Sequence, residues 1–389
     1  MLFAMLLVGN VLAADCVIPN LQVQDQDGMT ICYGNSASLL AQATDPDKRP
    51  MSFIATALMG RYGAGGDRTQ LANIISDQGS GLNGCDTFNN LKHHGTCPAE
   101  TFPLEGGPFD PWVATQFLLT LEDYINLPAA RQNEALAVLR RRARQAGAAR
   151  DLAALLKTSV ANRREASVTN FLNGNCDPSV GVNSQEVALA QEVLDGILNF
   201  SGTGNPRIDF LRLVAPRCAS ALVKPAGRCP KIRSKSRPSD RFDSAADIST
   251  SICQRQMPVS FNACGVMAQI RGLVNAPVTE DNVAERSNAT WTMLNNLNYK
   301  KSGDCPPLPG HTAHVMTLVG VRGEGEQEAY LVQNSWGRHC GLPRTTGNRQ
   351  LTRFAGIECE VDAQGQVTGR FWIPRTLFSK MSYYTSFVE

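Results

Sequence analysis

The sequence predicts a two-lobed α+β chain with a mainly helical insertion. Helical spacing of apolar residues fills the first part, strand signals fill the last, and a long charged helical stretch lies between them. With 389 residues and 43% hydrophobic composition the chain can bury a full core, and its length fits two or three structural units. A net charge of only +2 supplies no strong field, so neither nucleic acid nor an anionic membrane surface is expected as a partner.

The first segment, 1–14, is almost wholly apolar and ends in Val11-Leu12-Ala13-Ala14, small residues of the kind a signal peptidase accepts. It is too short to span a bilayer as a permanent helix. A signal peptide is therefore expected, giving a secreted or periplasmic protein with no membrane attachment after its removal. No Lys or Arg precedes the run, a departure from the usual signal, and a buried N-terminal strand is the alternative. Asp15 stands before Cys16 where a lipidation site needs a small residue, so Cys16 reads as structural.

Twelve cysteines follow the apolar start, at 16, 32, 85, 97, 176, 218, 229, 253, 264, 305, 340 and 359. In an exported chain that frequency points to disulfides. There is no CxxC pair, no His-x-x-x-His spacing and a total of five histidines, so neither a metal site nor any other cofactor is expected. With Cys32 set aside as a reactive thiol, eleven cysteines remain, and at least one more must be unpaired or bonded to another molecule.

From Cys32 onward Tyr33, Ala37, Leu40 and Ala41 recur at helical spacing until Asp45-Pro46 stops them, which puts Cys32 at a helix start. Further helical stretches are expected from Pro50 to Leu58, Thr69 to Ile75 and Asp86 to His94, the last ended by Gly95. These make a first lobe of residues 15–110. Residues 111–245 form the insertion: charged helices to Phe200, with Arg140, Arg141, Arg142 and Arg144 on a solvated face, then an extended, disulfide-pinned linker from Asn205 to Ser249. The last lobe, 246–389, carries strand signals at Val259-Ser260-Phe261, His314 to Val321, Glu328 to Gln333 and Gly369 to Ile373.

A cysteine attacks as thiolate, and free N–H groups at a helix start favour that charge. Cys32 has the placement; disulfide bonding or plain burial is its bland reading too, but fits most of the other cysteines better. Its base must be one of His93, His94, His311, His314 and His339. His93 and His94 close a helix, where the dipole alone accounts for them. The strand from His314 runs into the turn Gly323-Glu324-Gly325, and Tyr330 to Asn334 returns from it. Centring the hairpin on Glu324 sets position 314 opposite 334, ten residues to each side, so Asn334 could hydrogen-bond the His314 ring. A one-residue slip would turn the two side chains to opposite faces. Trp336, in Asn334-Ser335-Trp336-Gly337, would shield that contact from water or simply pack in the core.

With those residues in place the chain resembles the papain family of cysteine peptidases. The family's Gln six residues before the nucleophile matches Gln26, its aromatic after the nucleophile is Tyr33, its His followed six residues later by Gly matches His314 and Gly320, and its Asn-Ser-Trp-Gly is intact at 334–337. Asn83-Gly84 with Phe88, Leu91, Gly95, Glu100 and Phe102-Pro103 is similar to the family's substrate wall, and Met257 to Phe261 to the first strand of its second lobe. The likeness covers roughly 15–110 and 245–385. It implies a papain-like two-lobed fold, with a helical lobe and an antiparallel β-barrel-like lobe. The implied catalytic residues are Cys32, His314, Asn334 and Gln26; Asn83, Gly84 and Trp336 would bind substrate. Family members place His and Asn about 130–150 residues after the nucleophile. Here the gaps are 314 − 32 = 282 and 334 − 32 = 302, an excess that the insertion accounts for.

The departures are Met29 and Leu82, where the family has two bonded cysteines, and Cys85, where a second glycine lines its cleft. The residues before Cys32 are expected to leave almost no room for the inhibitory propeptide that many relatives carry. The expected function is a secreted cysteine endopeptidase acting on proteins or peptides, a hydrolase with a Cys-His-Asn thiolate mechanism. The alternatives are a catalytically silent binding protein of the same fold and a thioester-forming acyl transferase.

Overall fold

The computed structural model describes residues 15–25, 31–60, 84–105, 109, 117–118, 120–121, 129–162, 171, 173–174, 179–202, 206–230, 232–233, 243–263, 314–335, 337–338, 340, 353–354 and 356–389. The helix expected from Thr69 to Ile75 lies outside these.

The first helix, α1 (Cys32–Thr44), begins at Cys32 as the spacing predicts. It ends where Asp45, preceding Pro46, is extended at φ −69° and ψ 129°, the conformation a following proline imposes. Residues 32–43 are all buried, which is unusual for a helix in a globular lobe. Small residues make this possible: a Cβ at Gly34 would fall 2.5 Å from the Ala57 Cβ, so α1 packs backbone-close on α2 (Phe53–Gly60). With α3 (Gly84–His94) these form the first helical layer.

The insertion adds α4 (Ala129–Ala143), α5 (Ala148–Asn162), α6 (Ser184–Leu198), α7 (Pro206–Val214) and α8 (Pro216–Ser220). Its described residues do not form a separate core. Leu152, Leu156, Phe171, Val193 and Phe210 join Leu40, Phe53, Leu58 and Phe88 in one continuous apolar cluster. Helix α6 starts on a capping box in which Asn183 Oδ1 accepts from the Glu186 N–H at 2.9 Å and Glu186 accepts from the Asn183 N–H at 2.7 Å. Two of the four clustered arginines depart from the expected solvated face. Arg140 donates to the Phe200 carbonyl at 2.6 Å, and Arg142 donates to the Phe171 carbonyl at 3.1 Å while lying over its ring. Bare carbonyls at helix and loop ends accept these guanidiniums, so half the cluster staples the insertion together.

The segment from Asn205 to Ser249 also differs from the extended linker expected. It is helical in α7, α8 and α9 (Asp243–Ser249), which runs on into a π-helical turn at Thr250–Gln254. Among its described residues the middle, from 221 to 230, is extended and pinned by the disulfide Cys85–Cys229 and a bridge between Thr96 and Val223, while Cys97–Cys218 anchors α8. Two further disulfides, Cys16–Cys253 and Cys340–Cys359, hold the sheet lobe.

That lobe is a nine-stranded antiparallel sheet. Its strands are β1 (Cys16–Val17), β2 (Ile232–Arg233), β3 (Val259–Ala263), β4 (His314–Arg322), β5 (Ala329–Gln333), β6 (Arg353–Phe354), β7 (Ile357–Val361), β8 (Val367–Pro374) and β9 (Ser382–Phe387), with α10 (Arg375–Met381) before the last. The order is β2-β9-β3-β4-β5-β8-β7-β6, and β1 continues the edge of β3 along the far half of β4. The path is open, so no closed barrel forms among the described residues, and both ends of the sheet are two-residue strands. Phe261, Leu318, Tyr330, Phe371 and Phe378 fill its own core, and the opposite face of β3 and β4 lies on α1.

Candidate active site

A polar seam joins α1 to the sheet. Ser36 Oγ donates to Ser260 Oγ on β3 at 2.8 Å and accepts from Thr317 Oγ1 on β4 at the same distance. The row alternates as a pleat requires, so Ser260 and Thr317, being register partners, face the helix together. Gly84 closes the seam from the other side: a Cβ there would collide with Ser260 Oγ and sit 2.7 Å from Ser36 Oγ.

One turn before Ser36, the sulfur of Cys32 meets the same sheet. The Val315 N–H donates to Cys32 Sγ at 3.4 Å. Cys32 is buried and, among the described residues, is the cysteine outside any disulfide. Burial pushes its thiol above the ordinary cysteine range, while the N–H groups of Val315, Tyr33 and Cys32 pull against it. The helix-start effect is therefore present, but desolvation outweighs it, and the thiol keeps its proton unless a base removes it.

Directly before Val315, His314 Nε2 lies 2.8 Å from Asn334 Oδ1. The same oxygen accepts the Ser335 N–H at 2.8 Å. A backbone N–H can only donate, so the amide orientation is fixed and the atom facing His314 is oxygen. Nε2 must then carry the proton, and in the neutral ring Nδ1 holds the lone pair. Asn334 is fully buried, and its Nδ2 has no hydrogen-bond partner among the described residues.

The hairpin that delivers this pair departs from the expected register. Thr317 faces Gln333 and Leu318 faces Val332, then a bulge before Gly320 shifts the pairing to Gly320–Leu331. Extending the Thr317–Gln333 register by one residue sets Asn334 beside position 316, two residues from His314. The turn is also not centred on Glu324, because a 3₁₀ turn spans Gly325–Gln327. Since the slip is an even number of residues, side-chain facing is preserved, and His314 reaches Asn334 as a diagonal neighbour.

The segment leading toward the nucleophile is tied down by Gln24. Its Nε2 donates to the Met51 carbonyl at 2.9 Å, and its Oε1 accepts from Asn35 Nδ2 at 2.6 Å and Ser38 Oγ at 2.9 Å. Its carbonyl accepts the N–H of Gly337 at 3.0 Å. Gly337 has φ +61°, and a Cβ there would lie 2.5 Å from Asp25 Oδ2, so this turn requires glycine. Gln24 thus binds α1, the start of α2 and the loop after Asn334 into one unit.

Of the residues expected from the sequence, Cys32, His314 and Asn334 converge on one end of β4. Gly84 is buried at the start of α3, packed on the Ser36 seam. Cys85, next to it, is bonded to Cys229. His93 and His94 lie at the end of α3, as the dipole argument expects. Gln26, Asn83 and Trp336, like His311 and His339, lie outside the described residues. Sequence reasoning missed the Val315 amide and the Gln24 hub; neither side-chain pattern nor spacing marks them, because both act through contacts with segments distant in sequence. No group of His, Cys, Asp and Glu able to hold a metal ion occurs among the described residues.

Comparison of the sequence with protein-family models and with curated proteins gives no match. Among solved structures, the chain is similar to xylellain, a cysteine protease from Xylella fastidiosa, at 13% identity and a TM-score of 0.40, covering 97% of this chain and 86% of that one. It is also similar to PepW from Lactobacillus rhamnosis, at 13% identity and a TM-score of 0.37, covering 96% of this chain and 81% of that one.

Proposed function

We propose that the chain is an exported papain-like cysteine endopeptidase that hydrolyses peptide bonds in proteins or peptides. The observation that carries this reading is the seating of a free thiol, Cys32, against the amide next to His314, whose ring is oriented by Asn334. A structural cysteine in a disulfide-rich chain has no use for such a neighbour.

In this reading Nδ1 of His314 removes the thiol proton. The raised thiol of Cys32 makes that base indispensable, and the product is a thiolate–imidazolium pair. The thiolate attacks the scissile carbonyl, whose oxyanion takes hydrogen bonds from the Cys32 N–H and the Gln26 side chain. The imidazolium then protonates the leaving amine, and a water activated by the same ring releases the acyl group. Asn334 holds the tautomer throughout. Export agrees with four disulfides among the described residues.

The test combines alkylation by iodoacetamide at neutral pH with cleavage of casein by the wild type and Cys32→Ala. Selective labelling of Cys32 and loss of cleavage in the variant are expected. Continued hydrolysis by Cys32→Ala would refute the assignment, as would a thiol that never reacts, the behaviour of a silent binding protein. Product analysis with added amines distinguishes hydrolysis from acyl transfer.

A further inference from the structure

Asn262, on β3, carries an acceptor that none of the described residues uses. The residue is 7% exposed, and its Oδ1 has no hydrogen-bond partner among the described residues. A buried acceptor without a donor is destabilising, and an apolar residue of similar size would fill a strand position more cheaply.

Its place in the sheet gives the group a direction. Two residues earlier, Ser260 reaches Ser36 on α1, so Asn262 stands on the same face of β3. Asn262 is the register partner of Val315, just as Ser260 is that of Thr317. Cross-strand partners share a face and lie roughly 5 Å apart at Cβ. The Ser260–Thr317 row is filled by the Ser36 hydroxyl. The next row, Asn262–Val315, borders the Cys32 sulfur through the Val315 amide. A register shift after Asn262 in its pairing with β9 bends the strand at that point, a feature that re-aims side chains beside active sites.

We infer that Asn262 is a specificity-determining residue, accepting a hydrogen bond from a substrate side chain that ends in an N–H or O–H donor: a hydroxyl, an amide or an ammonium. The inference rests on the peptidase reading above. The substrate side chain enters beside Val315, the Asn262 amide turns to meet it, and an apolar side chain leaves the acceptor buried and unpaired. Sites that hydrogen-bond a substrate group reject analogues lacking it for this reason.

The experiment is a positional-scanning fluorogenic peptide library read on the wild type, Asn262→Val and Asn262→Asp. For the wild type, one position on the acyl side is expected to favour Ser, Thr, Asn, Gln or Lys over Val and Leu by about tenfold or more. Asn262→Val should lose or invert that preference without a lower thermal midpoint, and Asn262→Asp, nearly isosteric, should sharpen it toward Lys and Arg. A merely structural asparagine would move the midpoint and leave the profile alone. Profiles of both variants superimposing on that of the wild type would overturn the inference while leaving the peptidase reading intact. A wild type that cleaves no peptide would overturn both.

Discussion

The N–H of Val315 donates to the sulfur of Cys32 at 3.4 Å, joining residues 283 apart in sequence. Together with the Ser36 seam, that bond holds the head of α1 against the strand that begins with His314. It also stabilises sulfur as an anion, but less than burial opposes it.

The balance has a measurable consequence. Without a base, burial keeps Cys32 protonated at neutral pH, and a protonated thiol alkylates slowly. His314→Ala is expected to slow iodoacetamide labelling at neutral pH by about tenfold or more, with the rate recovering as pH is raised through the elevated thiol value. A mass-spectrometric time course at several pH values checks this. Equal labelling rates in the variant and the wild type would show that His314 does not act on the sulfur.

Asn334 should separate activity from stability. Its oxygen fixes the His314 ring, while its buried Nδ2 has no partner among the described residues, so the amide is costly to keep. Asn334→Ala is expected to lower kcat by about 10- to 100-fold, less than His314→Ala, because it orients the base without moving the proton. Chemical denaturation should show little loss of stability, and a loss as large as that of a core truncation would contradict the orienting role.

Gly84 closes the Ser36–Ser260 seam with no room for a methyl group. Gly84→Ala is expected to destabilise the fold by about 1–3 kcal/mol through overpacking. Urea unfolding measures this, and Gly84→Ala combined with Ser260→Ala should recover part of it if the clash with the hydroxyl is the cause.

Asp45 ends α1 and accepts from the Arg49 backbone N–H at 3.1 Å, its Nε at 3.0 Å and its Nη2 at 2.8 Å. The guanidinium holds the carboxyl below the usual aspartate range. Its contribution is therefore present above the unfolded value of about 3.9 and lost as pH falls through the lower folded value. Asp45→Asn should cost about 1 kcal/mol at neutral pH, a modest figure because Arg49 is partly exposed, and almost nothing in strong acid. Unfolding curves at the two pH values provide the comparison.

The two linker disulfides close long loops, Cys85–Cys229 across 144 residues and Cys97–Cys218 across 121. Replacing both cysteines of either pair by Ala is expected to cost about 2–5 kcal/mol, since each bond restricts the unfolded chain. Thermal unfolding under non-reducing conditions reads the effect, and an unchanged midpoint would mean that the insertion is held by its apolar contacts alone.

Local pattern alone determined where α1 starts and stops, that strands run through 259–261, 314–321, 328–333 and 369–373, and which thiol, imidazole and amide were worth pairing, while β6, β7 and β9 were not read from it. Helical period, the proline after Asp45 and the side-chain alternation of β4 are short-range effects, so they can be read along the chain. Facing also survived the error in register: a bulge and a 3₁₀ turn moved Asn334 by two residues, and a pleat returns to the same side every second residue. What the tertiary structure decided is everything that depends on distant segments meeting. The insertion shares the core of the helical lobe, Arg140 and Arg142 cap carbonyls where a solvated face was expected, the sheet stays open, and Cys32 is desolvated enough for its thiol to rise. Those outcomes come from burial and long-range hydrogen bonding, whose free energy depends on which partner arrives in three dimensions.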